Sequence, residues 1–199
     1  MKEKAKAQSV EPQIADLALG WLKQYKLKYY IEQDAPNETI KNALHEYESK
    51  QGGKGGNRPD CNLLLTDSRN DDWPILIEFK GYKDRLVKLD SEKQVSNRNA
   101  KGEPDYKTIS QYAVNGAVHY ANALLHYTTY ENIIAIGITG HIDKATNELR
   151  HELGVYYVGK SNLGVGQLVD NNYTDLSFLA PKHFNAFINK VRELKLTPH

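Results

Sequence analysis

The sequence predicts an α/β fold in which helices flank a mixed central sheet. Amphipathic helical patterns lie near both ends of the chain, short aliphatic runs lie between them, and the two kinds of segment alternate. The 199 residues are 40% hydrophobic, which is enough to build one sizeable core. We therefore expect residues 1–199 to form a single domain, with residues 1–10 flexible.

Two helices are predicted before the first strand. Residues 11–28 carry apolar side chains at helical spacing. A second helix begins with Asn37 as its cap and runs to about Ser49, where a glycine-rich segment stops it. This segment, residues 51–57, contains four glycines, and we expect it to be a flexible loop whose backbone approaches the substrate.

A β-hairpin is predicted next. Residues 60–65 and 75–80 are rich in aliphatic side chains, and the segment between them is rich in Asp, Asn and Ser, which is typical of a reversing loop. Because successive strand residues point to opposite faces, Glu78 and Lys80 project from the same face of the second strand. Antiparallel pairing of the two strands would make Asp60 and Glu78 neighbours.

The second half of the chain supplies the remaining elements. Residues 108–127 repeat small apolar side chains at helical spacing and predict one long helix on the sheet. Residues 132–138 are a continuous apolar run typical of a buried strand, and residues 155–158 predict another strand. Residues 181–194 begin with proline and predict a closing helix.

The hairpin carries the residues most informative about function. Asp60 is followed by seventeen residues and then by Glu78, and Lys80 closes the same aliphatic strand. Two carboxylates, a main-chain carbonyl and several waters form the octahedral oxygen shell that Mg²⁺ or Mn²⁺ prefers. An ammonium group beside the ion can orient the attacking water or stabilise developing charge. The alternative is a solvated strand end with a surface ion pair.

This pattern resembles the PD-(D/E)xK nuclease superfamily. The residues that carry the resemblance are Pro59, Asp60, Glu78, Phe79 and Lys80. More narrowly, the chain is similar to the N-terminal endonuclease domain of type I and type IIG-like restriction-modification proteins, which join a nuclease to an adenine methyltransferase. The segments similar to that group are residues 52–58, 117–121, 154–160 and 174–179, so the resemblance covers residues 35–190.

The resemblance implies a restriction-endonuclease-like core and a metal-dependent endodeoxyribonuclease that hydrolyses DNA phosphodiester bonds. It implies Mg²⁺ as the cofactor, with Mn²⁺ able to substitute, and double-stranded DNA as the substrate. A methyltransferase and target-recognition module would belong to the same polypeptide or complex. This chain has no Asn-Pro-Pro-Tyr methylase motif and no helicase motif, so we expect sequence recognition to reside elsewhere.

The resemblance also assigns roles to individual residues. It implies that Asp60 and Glu78 are metal ligands and that Lys80 lies next to the attacking water. Many members add an acidic residue from the helix before the first strand. Glu46 is the predicted ligand from that helix, with Glu48 as a second candidate and Glu38 further away. The alternative is that these acids form the solvated face of an amphipathic helix.

Related nucleases often carry a Gln-x-x-x-Tyr motif on the helix after the catalytic strand. Tyr120 fits that register, but Gly116 stands where glutamine is expected. Asn115 and His119 are predicted to supply the polar contact to DNA in its place, and Gln111 lies about one turn further back. The alternative is that Tyr120 belongs to the core.

Two basic clusters flank the proposed metal site. Lys50, Lys54 and Arg58 border the glycine-rich segment, and a second group follows the catalytic strand. The net charge of +1 neither supports nor excludes nucleic acid as a partner. The local clusters predict phosphate contacts by Lys54, Arg58, Lys83 and Arg85, whereas the alternative for such charge runs is solvated surface.

Other features limit the range of functions. The single cysteine, Cys61, excludes an internal disulfide and a cysteine-based zinc site, and it is predicted to be a small core residue. The N-terminal run of charged residues is unlike a signal peptide, and no segment is long enough to span a bilayer. We therefore expect a cytoplasmic protein without a membrane partner.

Two alternative functions stay open at this point. The chain could be a stand-alone repair or junction nuclease with the same metal site, which would prefer branched to linear duplex DNA. It could instead be a nonenzymatic DNA-binding module that keeps the nuclease fold. The presence of Asp60, Glu78 and Lys80 together argues against the second alternative.

Overall fold

The computed structural model of the protein describes residues 8–196. In chain order the helices and strands are α1 (Glu11–Gln24), β1 (Tyr30–Ile31), α2 (Glu38–Glu46), β2 (Cys61–Thr66), β3 (Asp72–Phe79), α3 (Tyr106–Gln111), α4 (Ala113–Tyr127), β4 (Asn132–Ile142), β5 (Leu149–Gly159), β6 (Gln167–Asp170) and α5 (Pro181–Leu196). Of the segment predicted to be flexible, residues 1–7 lie outside the described range, whereas Val10 is buried. Within the described range, no helix combines the length and apolar character needed to cross a bilayer.

The six strands form one mixed sheet. Their order across the sheet is the order in which they occur along the chain, from β1 to β6. Strands β3 and β4 are parallel and are joined by a crossover connection through α3 and α4, whereas every other neighbouring pair is antiparallel. The predicted mixed sheet flanked by helices is thus confirmed, as is the predicted hairpin of β2 and β3.

The sheet has a hydrophobic core on each face. Helices α1 and α5 pack on one face, where Ile75, Ile77 and Phe79 of β3 are buried with them. Helices α2 and α4 cover the other face, where Leu76 is buried. Glu78 alternates with Ile77 and Phe79 along β3 and therefore projects toward the α4 side.

The long helix predicted over residues 108–127 is two helices. Tyr112 separates α3 from α4 with an extended backbone, at φ −114° and ψ 137°. The first amide groups of α4 bond to the segment after β3: Ala113 N–H donates to the Arg85 carbonyl (3.0 Å) and Val114 N–H to the Leu86 carbonyl (2.8 Å). These bonds replace the intrahelical ones that a continuous helix would have made.

Helix α4 lies directly on the sheet because Gly137 of β4 has no side chain. A Cβ atom at Gly137 would stand 2.4 Å from the Val114 amide nitrogen. In the parallel register of β3 and β4, Gly137 is the partner of Glu78. The close contact between helix and strand therefore occurs beside the glutamate.

We expect Gly137→Ala to destabilise the protein by roughly 1–3 kcal/mol, because the added methyl group forces α4 away from β4. The matched control is Gly20→Ala, since Gly20 is an exposed residue of α1 whose Cβ position meets no atom within 4 Å. That control should gain about 0.5–1 kcal/mol from the loss of glycine flexibility. Urea unfolding midpoints at constant m-value measure both effects, and an unchanged midpoint for Gly137→Ala would contradict this packing.

Candidate functional site

The hairpin places Asp60 and Glu78 in direct contact. Cys61 of β2 pairs with Ile77 of β3. Asp60 directly precedes Cys61 and Glu78 directly follows Ile77, so the two acids lie at the same end of the hairpin. The Asp60 amide N–H donates to Glu78 Oε1 (3.1 Å), and the Phe79 amide N–H donates to Asp60 Oδ2 (2.8 Å). The predicted juxtaposition of the two acids is confirmed, and main-chain hydrogen bonds fix both carboxylates.

The two carboxylates differ in their access to water, since Glu78 is buried and Asp60 is partly buried. Glu78 is only 2% exposed. Burial, together with the negative charge of Glu78, raises the pKa of Asp60 from 3.8 to about 7, although the Phe79 N–H and the Lys50 ammonium act in the opposite direction. Without a bound cation, the pair is therefore short of positive charge at neutral pH.

Lys50 supplies part of that charge. Its ammonium lies 2.8 Å from Glu78 Oε2 and 5.2 Å from the centre of the Tyr120 ring. Burial alone would lower the pKa of Lys50, but the charge and hydrogen bond of Glu78, together with Tyr120, outweigh burial and the pKa is raised. The sequence suggested only that Lys50 belongs to a basic cluster, because nothing local to residue 50 indicates contact with a strand 28 residues away.

Glu11 is an acid of this site that the sequence interpretation missed. The Val10 amide N–H donates to the Gly81 carbonyl (3.0 Å), which brings the start of α1 beside the residue after Lys80. Burial, together with the charge of Asp60, raises the pKa of Glu11, while Lys80 and Lys50 lower it. Glu11 thus interacts with both a carboxylate and the ammonium groups. An acid in the first helical turn normally reflects the helix dipole, so its position in the sequence does not indicate a role in the site.

Lys80 directly follows β3 at the same end of the hairpin. Its amide N–H donates to the Ile138 carbonyl (2.9 Å), which extends the pairing of β3 with β4 by one residue. Its side chain is partly exposed, and among residues 8–196 it makes no ion pair within 4 Å. Its ammonium group is therefore accessible to a substrate.

The acids in and just after α2 make no hydrogen bond or ion pair with the carboxylate pair in the described part of the chain. Glu46 is exposed at the last residue of α2, and no hydrogen bond or ion pair in the described part of the chain joins it to Asp60 or Glu78. Glu48 accepts a hydrogen bond from the Tyr106 hydroxyl (3.1 Å), and Glu38 is exposed at the start of α2. The assignment of Glu46 as a metal ligand stays a prediction.

Asn115 is buried and bonded within the protein. Its Oδ1 accepts from the Lys88 amide (2.9 Å), and its Nδ2 donates to the Lys88 carbonyl (3.0 Å) and to Asn97 Oδ1 (2.9 Å). A direct phosphate contact by Asn115 would require these bonds to break. Its predicted role in DNA binding is untested, and the structure shows it tethering the segment between β3 and α3.

His119 and Tyr120 are buried on the same helix. His119 Nε2 donates to the Glu48 carbonyl (2.9 Å), and burial lowers the pKa of the imidazole despite that bond. The Tyr120 hydroxyl donates to the Arg58 carbonyl (3.2 Å), and burial raises its pKa, so the phenol stays neutral. Both side chains hold the backbone around the glycine-rich segment, and their contact with DNA stays a prediction.

The glycine at the expected glutamine position has a structural explanation. A Cβ atom at Gly116 would lie 3.2 Å from Glu78 Oε2 and 3.4 Å from its Cγ. A longer side chain there would press against the buried glutamate. Lys50, which directly precedes the glycine-rich segment, instead contacts Glu78 and the Tyr120 ring.

That segment forms a tight turn. The Ser49 amide donates to the Gly53 carbonyl (2.8 Å), and the Ser49 hydroxyl accepts from the Gly53 amide (3.0 Å). Gly52 has φ +88°, and a Cβ atom there would lie 2.9 Å from the Tyr106 ring. Glycine is therefore required at this position of the turn.

The four predicted phosphate contacts differ in their surroundings. Lys54, Arg58 and Lys83 have exposed side chains. Arg85 is partly buried, lies 5.4 Å from the centre of the Tyr112 ring and donates to the Tyr112 hydroxyl (3.3 Å). Their role in DNA binding is untested.

Cys61 conforms to its prediction as a core residue. It is fully buried beside Asp60, and burial raises the pKa of its thiol to about 12. Its side chain belongs to the α1 and α5 side of the sheet.

Comparison with known proteins adds one relative. A stretch of 135 residues, 67% of this chain, is 28% identical to the type II restriction enzyme and methyltransferase RM.BcgI of Heyndrickxia coagulans. The chain is similar to a restriction-modification enzyme. The match spans 18% of the length of that enzyme. No family model and no solved structure matches the chain.

The raised pKa of Asp60 predicts how stability depends on pH in the presence of EDTA. Because the folded pKa of about 7 exceeds the ordinary value of 3.8, folding takes up a proton and the free energy of unfolding falls as pH rises between these values. Asp60→Asn removes the charge but can still accept from the Phe79 amide. We expect this variant to melt several degrees above the parent at pH 8, with the difference shrinking toward pH 5.

Asp67→Asn is the matched control. Burial opposes ionisation of Asp67, but hydrogen bonds from Asp71, Trp73 and Arg192, among others, lower its pKa. At pH values above its ordinary pKa, the ionised Asp67 therefore stabilises the folded protein. Asp67→Asn should have a lower melting temperature than the parent, and the difference should be largest at neutral pH. Differential scanning calorimetry measures both variants. A lower melting temperature for Asp60→Asn at pH 8 would contradict the account of the carboxylate pair.

Proposed function

We propose that this chain is a metal-dependent endodeoxyribonuclease module that serves a restriction-modification system. The observation that carries the proposal is the pair formed by the buried Glu78 and the partly buried Asp60, which main-chain hydrogen bonds fix at the end of the hairpin where Lys80 follows β3. A carboxylate pair withdrawn from water is costly unless it has a positive ligand to bind. Similarity to a restriction enzyme supports this choice among the functions that need such a pair.

The residues fit Mg²⁺, and Mn²⁺ as its substitute. Asp60 and Glu78 offer oxygen donors only, which these ions prefer. Within residues 8–196, no three His, Cys, Asp or Glu side chains converge as a metal-binding cluster. Mg²⁺ suits this arrangement because it commonly takes one or two carboxylates and completes its shell with water and substrate phosphate. When bound, the ion would polarise the phosphoryl oxygen and lower the pKa of a coordinated water.

Lys80 and Glu11 have separate roles in the proposed reaction. Lys80 lies beside the reacting phosphate and stabilises the negative charge that develops there. Glu11 interacts with Lys80 and with Asp60, so it holds the ammonium in position. Since no third carboxylate converges with Asp60 and Glu78 among residues 8–196, Glu11 acts as a positioning residue for Lys80.

Double-stranded DNA is the proposed substrate. Lys54 lies in the glycine-rich segment and Arg58 directly follows it, whereas Lys83 and Arg85 follow Lys80 along the chain. Positive side chains on both sides of a cleavage site neutralise the phosphates that flank the cut bond. Binding should accordingly weaken as salt concentration rises.

The relative combines restriction and methyltransferase activities in one enzyme, according to its name. We propose that this chain supplies the cutting activity of a comparable system. Methylation and recognition of the DNA sequence then belong to another part of the same polypeptide or complex.

Removing either metal-binding carboxylate should abolish cutting. We expect Asp60→Asn and Glu78→Gln to lower the rate of plasmid cleavage in Mg²⁺ at least ~100-fold, and EDTA to abolish cleavage by the parent. The matched control is Asp16→Asn, an exposed acid of α1, which should cut at the parental rate. The assay uses the chain together with its recognition partner. Parental rates in both carboxylate variants would overturn the proposal.

A second set of variants separates Glu11 from Glu46. Lys80→Met should slow the cleavage step about 10²–10³-fold while weakening DNA binding much less. Glu11→Gln should slow the same step at least ~10-fold, since Lys80 loses the acid that positions it. Glu46→Gln should have no such effect. Single-turnover cleavage measures the step. If Glu46→Gln slowed it and Glu11→Gln did not, Glu46 rather than Glu11 would assist the reaction.

A further inference from the structure

Lys50 is a second ammonium group in the candidate site. It comes from the segment before β2, whereas Lys80 follows β3, and its Nζ pairs with Glu78 Oε2 at 2.8 Å. The other glutamate oxygen, Oε1, accepts the Asp60 amide. Both oxygens of Glu78 are therefore occupied by protein donors, and a cation at this carboxylate must compete with Lys50.

The backbone of Lys50 is held firmly. Its carbonyl accepts a hydrogen bond from the Ser110 hydroxyl (3.1 Å) at α3. The residues before and after it belong to the glycine turn closed by Ser49 and Gly53. Glu48, two residues earlier, is fixed by His119 and Tyr106. Only the side chain of Lys50 is free to change its direction.

The Lys50 side chain can move toward solvent. It is 24% exposed, whereas the Glu78 side chain is 3% exposed, so the ammonium lies between the buried acid and solvent. Its four-carbon stem has several rotatable bonds, and the ammonium is a compact point charge. The Tyr120 ring stands 5.2 Å away and offers the cation a resting surface that does not depend on Glu78.

We propose that Lys50 occupies the cation position at Glu78 until a divalent ion displaces it, and that the displaced ammonium then binds a DNA phosphate. This inference rests on the proposed nuclease function. Two positive groups cannot share the same buried carboxylate oxygen, and the displaced ammonium is stabilised best by another anion nearby. The phosphate backbone of bound DNA supplies that anion. Lys50 thus makes its phosphate contact only when the cation is in place.

The first test measures the affinity for Mn²⁺ at pH 8 by calorimetry. Lys50→Met keeps the length of the side chain but removes the competing charge, so Mn²⁺ should bind at least tenfold more tightly. Lys50→Gln should change the affinity in the same direction, and it guards against a packing fault specific to methionine. The matched control, Lys41→Met, removes a charge from an exposed lysine of α2 that has no contact with Glu78 in the described part of the chain, and it should change the affinity less than twofold.

The second test counts phosphate contacts from the salt dependence of DNA binding. Each contact contributes about 0.9 to the slope of log affinity against log salt concentration. In saturating Mn²⁺, with cleavage slowed by Lys80→Met in every protein, Lys50→Met should reduce this slope by about one contact. In EDTA the slopes with and without Lys50→Met should be equal, because Lys50 is then engaged by Glu78.

The outcomes separate this inference from the proposed function. If the parent takes up Mn²⁺ and Lys50→Met binds it no more tightly, Lys50 is not a competitor and the inference fails while the nuclease proposal stands. Equal loss of slope in Mn²⁺ and in EDTA would make Lys50 a permanent phosphate contact, which also overturns it. If the parent takes up no Mn²⁺ with DNA present, both proposals fail.

Discussion

A carboxylate withdrawn from water must be matched by a proton or by a positive charge, and this constraint organises the site. Glu78 is almost fully buried and keeps Lys50 beside it. Asp60, pressed against Glu78, shifts toward its protonated form near neutral pH. Glu11 adds a third acid, whose pKa is raised by burial and Asp60 and lowered by Lys80. The ammonium groups compensate only part of the negative charge of these acids, and a divalent cation would supply the rest.

The fold creates this site through close backbone contacts at glycines. Gly81 admits the start of α1, since a Cβ there would lie 2.1 Å from the Glu11 nitrogen. Gly137 lets α4 rest on the strand beside Glu78, and Gly116 leaves room for the glutamate against that helix. Elements from the two faces of the sheet can therefore contribute charges at one end of the hairpin. Side chains at these positions would push the charged groups apart.

The sequence predicts those features that residues close together in the chain determine. The alternation along β3 and the turn before it define the hairpin, so the contact of Asp60 with Glu78 followed directly. Glu11 and Lys50 reach the site only through tertiary packing, and their own neighbours in sequence carry no sign of it. The break at Tyr112 likewise depends on carbonyl groups from a distant segment, whereas helical periodicity continues across it.

Anomalous X-ray diffraction from crystals grown with Mn²⁺ and bound duplex DNA tests most directly whether Asp60 and Glu78 together hold a divalent cation. We expect one strong anomalous peak within coordination distance of both carboxylates, with the Lys50 ammonium moved away from Glu78. No peak at that position, with Lys50 still paired to Glu78 beside the DNA, would contradict it.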